Sequence, residues 1–144
     1  MRTASIVLAS TALIAVVSAC GGNGSSPTVF PSESPTYTAV IVASNNACNT
    51  SYTVHRDGTA QRVVQSCGSG TLDETLPATV TSKLFADLQA AQPLDTLPQA
   101  LTVDTSTTIA WDSQQSPNIA GNGNAIEQSL TNDAGAVTAA FPAR

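Results

Sequence analysis

The stretch "CNTSYTVHRDGTAQRVVQSC", Cys48 to Cys67, holds an alternating pattern, a turn and two thiols within one short span. Asp57-Gly58 supplies the left-handed backbone of a tight hairpin turn, and the runs beside it are rich in Thr, Val and Tyr. With a two-residue turn, Arg56 faces Thr59, Val54 faces Gln61, Tyr52 faces Val63 and Cys48 faces Cys67. Directly opposed residues on antiparallel strands lie about 4.5–5.5 Å apart at Cα, within reach of a disulfide. The competing reading is a three-residue loop, Arg56-Asp57-Gly58, closed by a bulge; it would move the cysteines out of opposition. In the two-residue register Cys48, Tyr52, Val54, Val63 and Cys67 share one face. Asn49, Ser51, Thr53, His55 and Arg62 share the other, with Val64 misplaced among them. Closing a loop of this size stabilises by about 3 kcal/mol.

Outward from the hairpin, "YTAVIVAS" (Tyr37 to Ser44) reads as a strand with most of its length buried. Downstream, "DETLP" (Asp73 to Pro77) signals a helix start, and Asp73-Glu74 suits its positive end. Val80, Leu84, Leu88 and Ala91 then form one stripe, broadened by Phe85, with Lys83, Asp87 and Gln89 off it and Pro93 as the stop. "STTIAW" (Ser106 to Trp111) is a further strand, with Thr107, Ile109 and Trp111 on one face. Ser113 to Asn124 is a polar loop with room for a short strand around Ile119. Ile126, Leu130, Val137 and Phe141 recur at helical spacing through the last segment, where Gly135 costs about 1 kcal/mol relative to Ala. The expectation is an α+β fold: a small antiparallel sheet with a disulfide-linked hairpin, covered by two helices on one side.

The chain has 144 residues, room for one ordinary domain. Its front is of another character. Met1-Arg2, an apolar run from Ile6 to Val17, and the small residues Ser18-Ala19 follow the pattern of a secretory signal. The run falls short of the roughly 20 apolar residues a spanning helix needs. Val17-Ser18-Ala19-Cys20 resembles the lipobox of bacterial lipoproteins. The resemblance covers the first two dozen residues. It implies cleavage before Cys20, a diacylglyceryl thioether on its sulfur and usually acylation of its amine, so that residues 1–19 are lost and the membrane is a partner. Each buried methylene contributes about 0.8 kcal/mol, and two or more chains anchor stably where one does not.

Three cysteines leave an odd one. With lipid on Cys20, Cys48 and Cys67 remain as a pair, in an export compartment that permits a disulfide. The rival use of that pair, a metal site, lacks ligands, since the chain holds one His and no fourth Cys. Gly21 to Thr36, "GGNGSSPTVFPSESPT", is too polar to offset its ordering entropy and reads as a flexible tether on residues 20–36. The folded part is expected over residues 37–144. From Cys20 onward there are four basic against ten acidic residues, a net charge of −6, which gives no footprint for nucleic acid.

The catalytic residue types are sparse. His55, the single histidine, falls beside the turn on the polar face, where a solvated role outweighs that of a general base. No Gly-x-Ser-x-Gly elbow occurs. Asp104, Asp112 and Asp133 sit in no ligand-spaced loop. "GNGN" (Gly121 to Asn124) lacks the glycine spacing and lysine of a phosphate cradle, and Trp111 suits a core or rim position. No catalytic residue, metal ligand or cofactor is therefore expected. The order of hairpin, amphipathic helix, strand and closing helix is similar to small bacterial metalloprotease inhibitors of the emfourin type, which implies protease inhibition as one outlet. The leading expectation is a non-enzymatic module that binds an envelope protein, with a protease inhibitor and a small hydrolase built on His55 as alternatives. Its place is the outer face of the cytoplasmic membrane or the outer membrane; Gly21 after Cys20, in place of Asp, favours the latter.

Overall fold

The computed structural model describes residues 34–142, apart from 103, 122 and 123. Cys20 and its surrounding motif lie outside those residues. Within them the α+β expectation holds. Six strands, β1 (Thr38–Asn45), β2 (Asn49–His55), β3 (Thr59–Gln65), β4 (Gly70–Thr75), β5 (Thr105–Trp111) and β6 (Gln114–Gln115), form one sheet in the order β4-β3-β2-β1-β5-β6. Every neighbouring pair is antiparallel. Helices α1 (Ala78–Ala90) and α2 (Ala125–Ala140) carry the apolar surface that covers it.

The hairpin takes the three-residue loop, and the two-residue register is corrected by one residue. Val54 pairs with Ala60, Tyr52 with Arg62 and Thr50 with Val64. Two contacts hold the longer loop. Asp57 accepts bonds at one carboxylate oxygen from the Thr59 amide (2.9 Å) and hydroxyl (2.7 Å), which holds its own backbone on the right-handed side. Arg56 is drawn to the helix side, its guanidinium 4.6 Å from the Phe85 ring centre and its Nε donating to the Thr36 carbonyl at 2.8 Å. Gly58 then closes the bulge at φ +94°, where a Cβ would stand 3.3 Å from the Leu76 carbonyl oxygen. The shift exchanges faces on β3. Ala60, Arg62 and Val64 turn toward the helices with Tyr52 and Val54, while Val63 turns away.

That register sets Cys48 against Ser66, yet Cys48 and Cys67 are bonded, with Cα atoms 4.9 Å apart. Ser66 makes up the difference. It sits at φ 72°, and the Cys67 amide donates back to the Gln65 carbonyl at 2.9 Å, so one residue is consumed in a tight turn. The cross-link forms by a route that counting along straight strands did not supply.

Strand β4 replaces part of the expected helix start. Asp73 and Glu74 belong to it, paired with Gln61 and Ala60, and do not lie at a helix end. Helix α1 begins three residues later, with Pro77 before its first turn and Thr81, Leu84, Phe85 and Leu88 buried. Among the described residues, the helices cover strand β1 on one side only. Ala39 and Ile41 are fully buried, whereas Val42 is 37% exposed. In the loop after β5, the short strand is Gln114–Gln115, not Ile119. Asp112 and Ser113 turn it at φ 51° and 62°. Ile119 is nevertheless fully buried, and side chains finish the outer edge of β5: Ser116 Oγ accepts from the Ile109 amide and Asn118 Oδ1 from the Thr107 amide, both at 2.9 Å.

Helix α2 is capped by Asn124, whose side chain accepts from the Ile126 amide at 2.9 Å. Of the expected line, Leu130, Val137 and Phe141 are buried; Ile126 is 42% exposed, and Glu127 takes the core position at the start of the helix. The core between helices and sheet gathers Ile41, Tyr52, Val54, Leu84, Leu88, Ile109, Trp111 and Leu130. The Trp111 Nε1 donates to the Thr36 carbonyl at 3.0 Å, so its one polar atom is satisfied.

Two stability effects are expected. Gly135 lies inside α2 with open space where a Cβ would stand, so Gly135→Ala raises stability by about 1 kcal/mol, read as a higher urea midpoint. Replacing Cys48 and Cys67 together by Ala lowers it by about 3 kcal/mol, read in the same titration under non-reducing conditions.

Candidate docking surface

Paired residues on antiparallel neighbours present their side chains on one face. On the side of the sheet away from the helices this places Asp73, Gln61, Thr53, Val40, Ala110 and Gln115 in one row across all six strands. The next row holds Thr71, Val63, Ser51, Val42 and Thr108. A third holds Gln65, Asn49, Ser44 and Ser106, with Ser44 donating to Asn49. Among the described residues no helix lies on these rows, and Asp73 is their single formal charge. The face is therefore close to neutral on a chain rich in carboxylates. It consists of hydroxyls and amides around a small valine centre, of which Val42 is the most open.

At the β2–β4 end the face dips into a shallow depression of about 540 Å³ lined by Thr53, His55, Thr59, Gln61, Asp73 and Thr75. His55 lies there as its sequence position suggested, half-buried, with Nδ1 2.9 Å from the Thr38 hydroxyl and its ring 5.8 Å from that of Tyr37. Asp73 accepts from the Gln61 amide at 2.8 Å. Asp57, at the turn above, is held below the ordinary carboxylate range, first by the Thr59 hydroxyl, then by the Thr59 amide and the Tyr37 hydroxyl.

A second cluster joins the helices, and the sequence does not show it, because Lys83 and Asp87 lie off the packed stripe of α1. Lys83 Nζ donates to Asp133 Oδ1 (2.7 Å), Asp87 Oδ2 (2.6 Å) and Ser129 Oγ (3.0 Å), and Ser129 donates to Asp87 at 2.5 Å. The Ser129–Lys83 contact has the composition of a nucleophile and its base, but its electrostatics are opposite. Bonds to Asp133 and Asp87 hold the Lys83 ammonium pKa up, and Ser129 already gives its proton to Asp87. The arrangement is a latch between α1 and α2. Bonds from Lys83 and Ser129 keep the Asp87 carboxyl low, whereas burial pushes Asp133 up.

Cys48 is half-buried and Cys67 exposed at the end of the hairpin, away from His55. Asp104 and Asp112 bind Asn46 and Gln92 respectively, far apart in the fold. Among the described residues, no group of three or more His, Cys, Asp or Glu is set to hold a metal, and no helix is long and apolar enough to cross a membrane. Set against protein-family models, curated proteins and solved structures, the chain matches none.

The latch has a pH signature. A carboxyl whose folded pKa is raised takes its proton first in the folded state. Its burden is absent below the ordinary carboxylate range and grows as pH rises through the raised value. Lys83→Met leaves Asp133, whose side chain is 4% exposed, without its cation. With Lys83 itself 55% exposed, screening limits the loss at pH 7 to about 1 kcal/mol. Urea titrations between pH 7 and pH 4 are expected to show that loss shrinking on acidification.

Proposed function

We propose that this chain is a lipid-anchored, non-enzymatic module of a bacterial envelope that docks a protein partner through the face of its sheet away from the helices. The observation that carries the reading is the face itself: rows of Ser, Thr, Asn and Gln around Val40, Val42 and Val63, with one carboxylate. A surface without strong charge meets its partner by shape and hydrogen bonding, and the buried centres of protein interfaces are likewise depleted of charged residues. The lipobox-like Val17-Ser18-Ala19-Cys20 supplies the anchor in this reading, and the Gly, Ser and Pro residues before Thr36 supply reach. Protease inhibition is one form such docking takes; purified chain in micromolar excess over secreted metalloproteases, with no loss of their activity, removes it.

A second reading rests on the Thr38–His55 contact, a hydroxyl and an imidazole in hydrogen-bond reach at the rim of a depression. It makes the chain a small hydrolase. Serine- and threonine-directed activity probes that label the wild type and not His55→Ala would support it, and an unlabelled wild type ends it.

For the leading reading, mass spectrometry of the processed chain is expected to find acyl mass on an N-terminal Cys20. A photo-crosslinker at position 42 is expected to trap one discrete partner in intact cells, whereas one at exposed Leu101 traps none. An unacylated N-terminus overturns the anchor. Absence of any crosslink at position 42 overturns the docking face.

A further inference from the structure

We propose that the free edge of the sheet, strand β4, accepts an extended segment of the docked partner as a seventh strand, and that this segment carries basic side chains. The proposal rests on the docking reading above and names the part of the partner that the protein holds. Among the described residues β4 has one neighbour, β3, whereas the opposite edge is β6, only two residues long, where the Gln114 side-chain Oε1 accepts from the Leu94 amide at 2.7 Å.

The direction of each backbone group on β4 follows from one bond. Leu76 donates its amide to the Gly58 carbonyl at 2.8 Å, in register with the Thr59–Thr75 pair. In an antiparallel ladder, pairs that exchange backbone bonds alternate with pairs that exchange none. Gly70, Leu72 and Glu74 therefore turn their N–H and C=O toward β3. Thr71, Asp73 and Thr75 turn theirs outward, and all three are exposed. An unpaired row of this kind is a template for another strand.

The side chains along the row define the occupant. Asp73 and Glu74 lie side by side, one on each face of the edge, and neither is in an ion pair among the described residues. Arg62, opposite Leu72 on β3, is engaged elsewhere: its guanidinium lies 5.5 Å from the Phe141 ring centre and donates to the Pro142 carbonyl at 3.1 Å. An incoming strand thus meets two uncompensated carboxylates at its middle. Lysine or arginine opposite Asp73 and Glu74 satisfies them, and an apolar residue suits the position opposite half-buried Leu72. The depression that begins at Asp73 and Thr75 gives a long basic side chain room to lie. A second copy of this chain is the poorer occupant, because the antiparallel register of β4 with itself that pairs all three outward residues, Thr71, Asp73 and Thr75, sets Asp73 against Asp73.

The test uses the full chain in detergent and an acetylated nonapeptide of threonine and valine with two central lysines, beside a control carrying two glutamates instead. The lysine peptide is expected to bind and to slow hydrogen exchange at the amides of Thr71, Asp73 and Thr75 at least tenfold. The glutamate peptide is expected to bind at least tenfold more weakly. Thr71→Pro removes one outward N–H and no charge, follows a permissive glycine, and leaves the bonds to β3 in place; a tenfold loss of binding is expected. Equal binding of the two peptides, binding without protection of those amides, or full binding by Thr71→Pro each overturns the proposal. The protection pattern needs no variant and so stands even if Thr71→Pro does not fold. If the position-42 crosslink in cells survives Thr71→Pro, the docking face stands and the added strand falls. If that crosslink never forms, the docking reading itself falls.

Discussion

The parity of the β2–β3 hairpin is the constraint on which the rest depends. Side chains alternate across a strand, so a shift of one residue would reverse every face on β3 and β4. With Asp57 tied to Thr59 and Arg56 tied to Phe85 and Thr36, the loop is fixed at three residues. That choice brings Ala60 and Val64 under the helices and leaves Val63, Gln61 and Thr59 on the open side. The same parity hands β4 its arrangement, with Leu72 inward and Asp73 outward. The neutral face and the free edge both follow from one turn.

The helix layer is held by a different kind of force. Apolar contact between Leu84, Leu88, Leu130 and the sheet supplies most of the cohesion, while the Lys83 latch fixes how α1 and α2 lie against each other. Polar groups were not excluded from this layer. Among the described residues, Asp133 Oδ2 and both carboxylate oxygens of Glu127 are buried without a hydrogen-bond partner, an arrangement that costs stability wherever it occurs. The open side shows the converse: polar groups abound there, half-buried or exposed to solvent.

Much of the architecture was legible in the residues, because periodicity reports burial directly. The stripe Leu84-Leu88 with Phe85 gave α1, alternation in "STTIAW" gave β5, and two spare thiols near one turn gave the disulfide. What escaped notice had physical reasons. Asp-Gly is compatible with two loops, and the choice between them was made by Arg56 contacts that no local pattern encodes. Strand β4 is short and acidic, and carboxylates just ahead of Pro77 and an apolar stripe have the pattern of a helix start. At the start of α2 the core position belongs to Glu127 and not Ile126, and a buried glutamate carries the wrong polarity to be found by pattern. The open face was half visible: Thr53, His55 and Ser51 were placed on a polar side, but its breadth depends on pairing across strands far apart in sequence.

One feature of the leading end bears on mechanics. The carbonyl of Thr36, just ahead of β1, receives Arg56 from beyond β2 and Trp111 from β5, and those two strands flank β1 on either side. Tension arriving along the chain from its N-terminal side meets this clasp before it reaches any ladder, and the clasp divides the pull between the left and right halves of the sheet. Peeling either flank from β1 therefore also breaks a bond to this carbonyl.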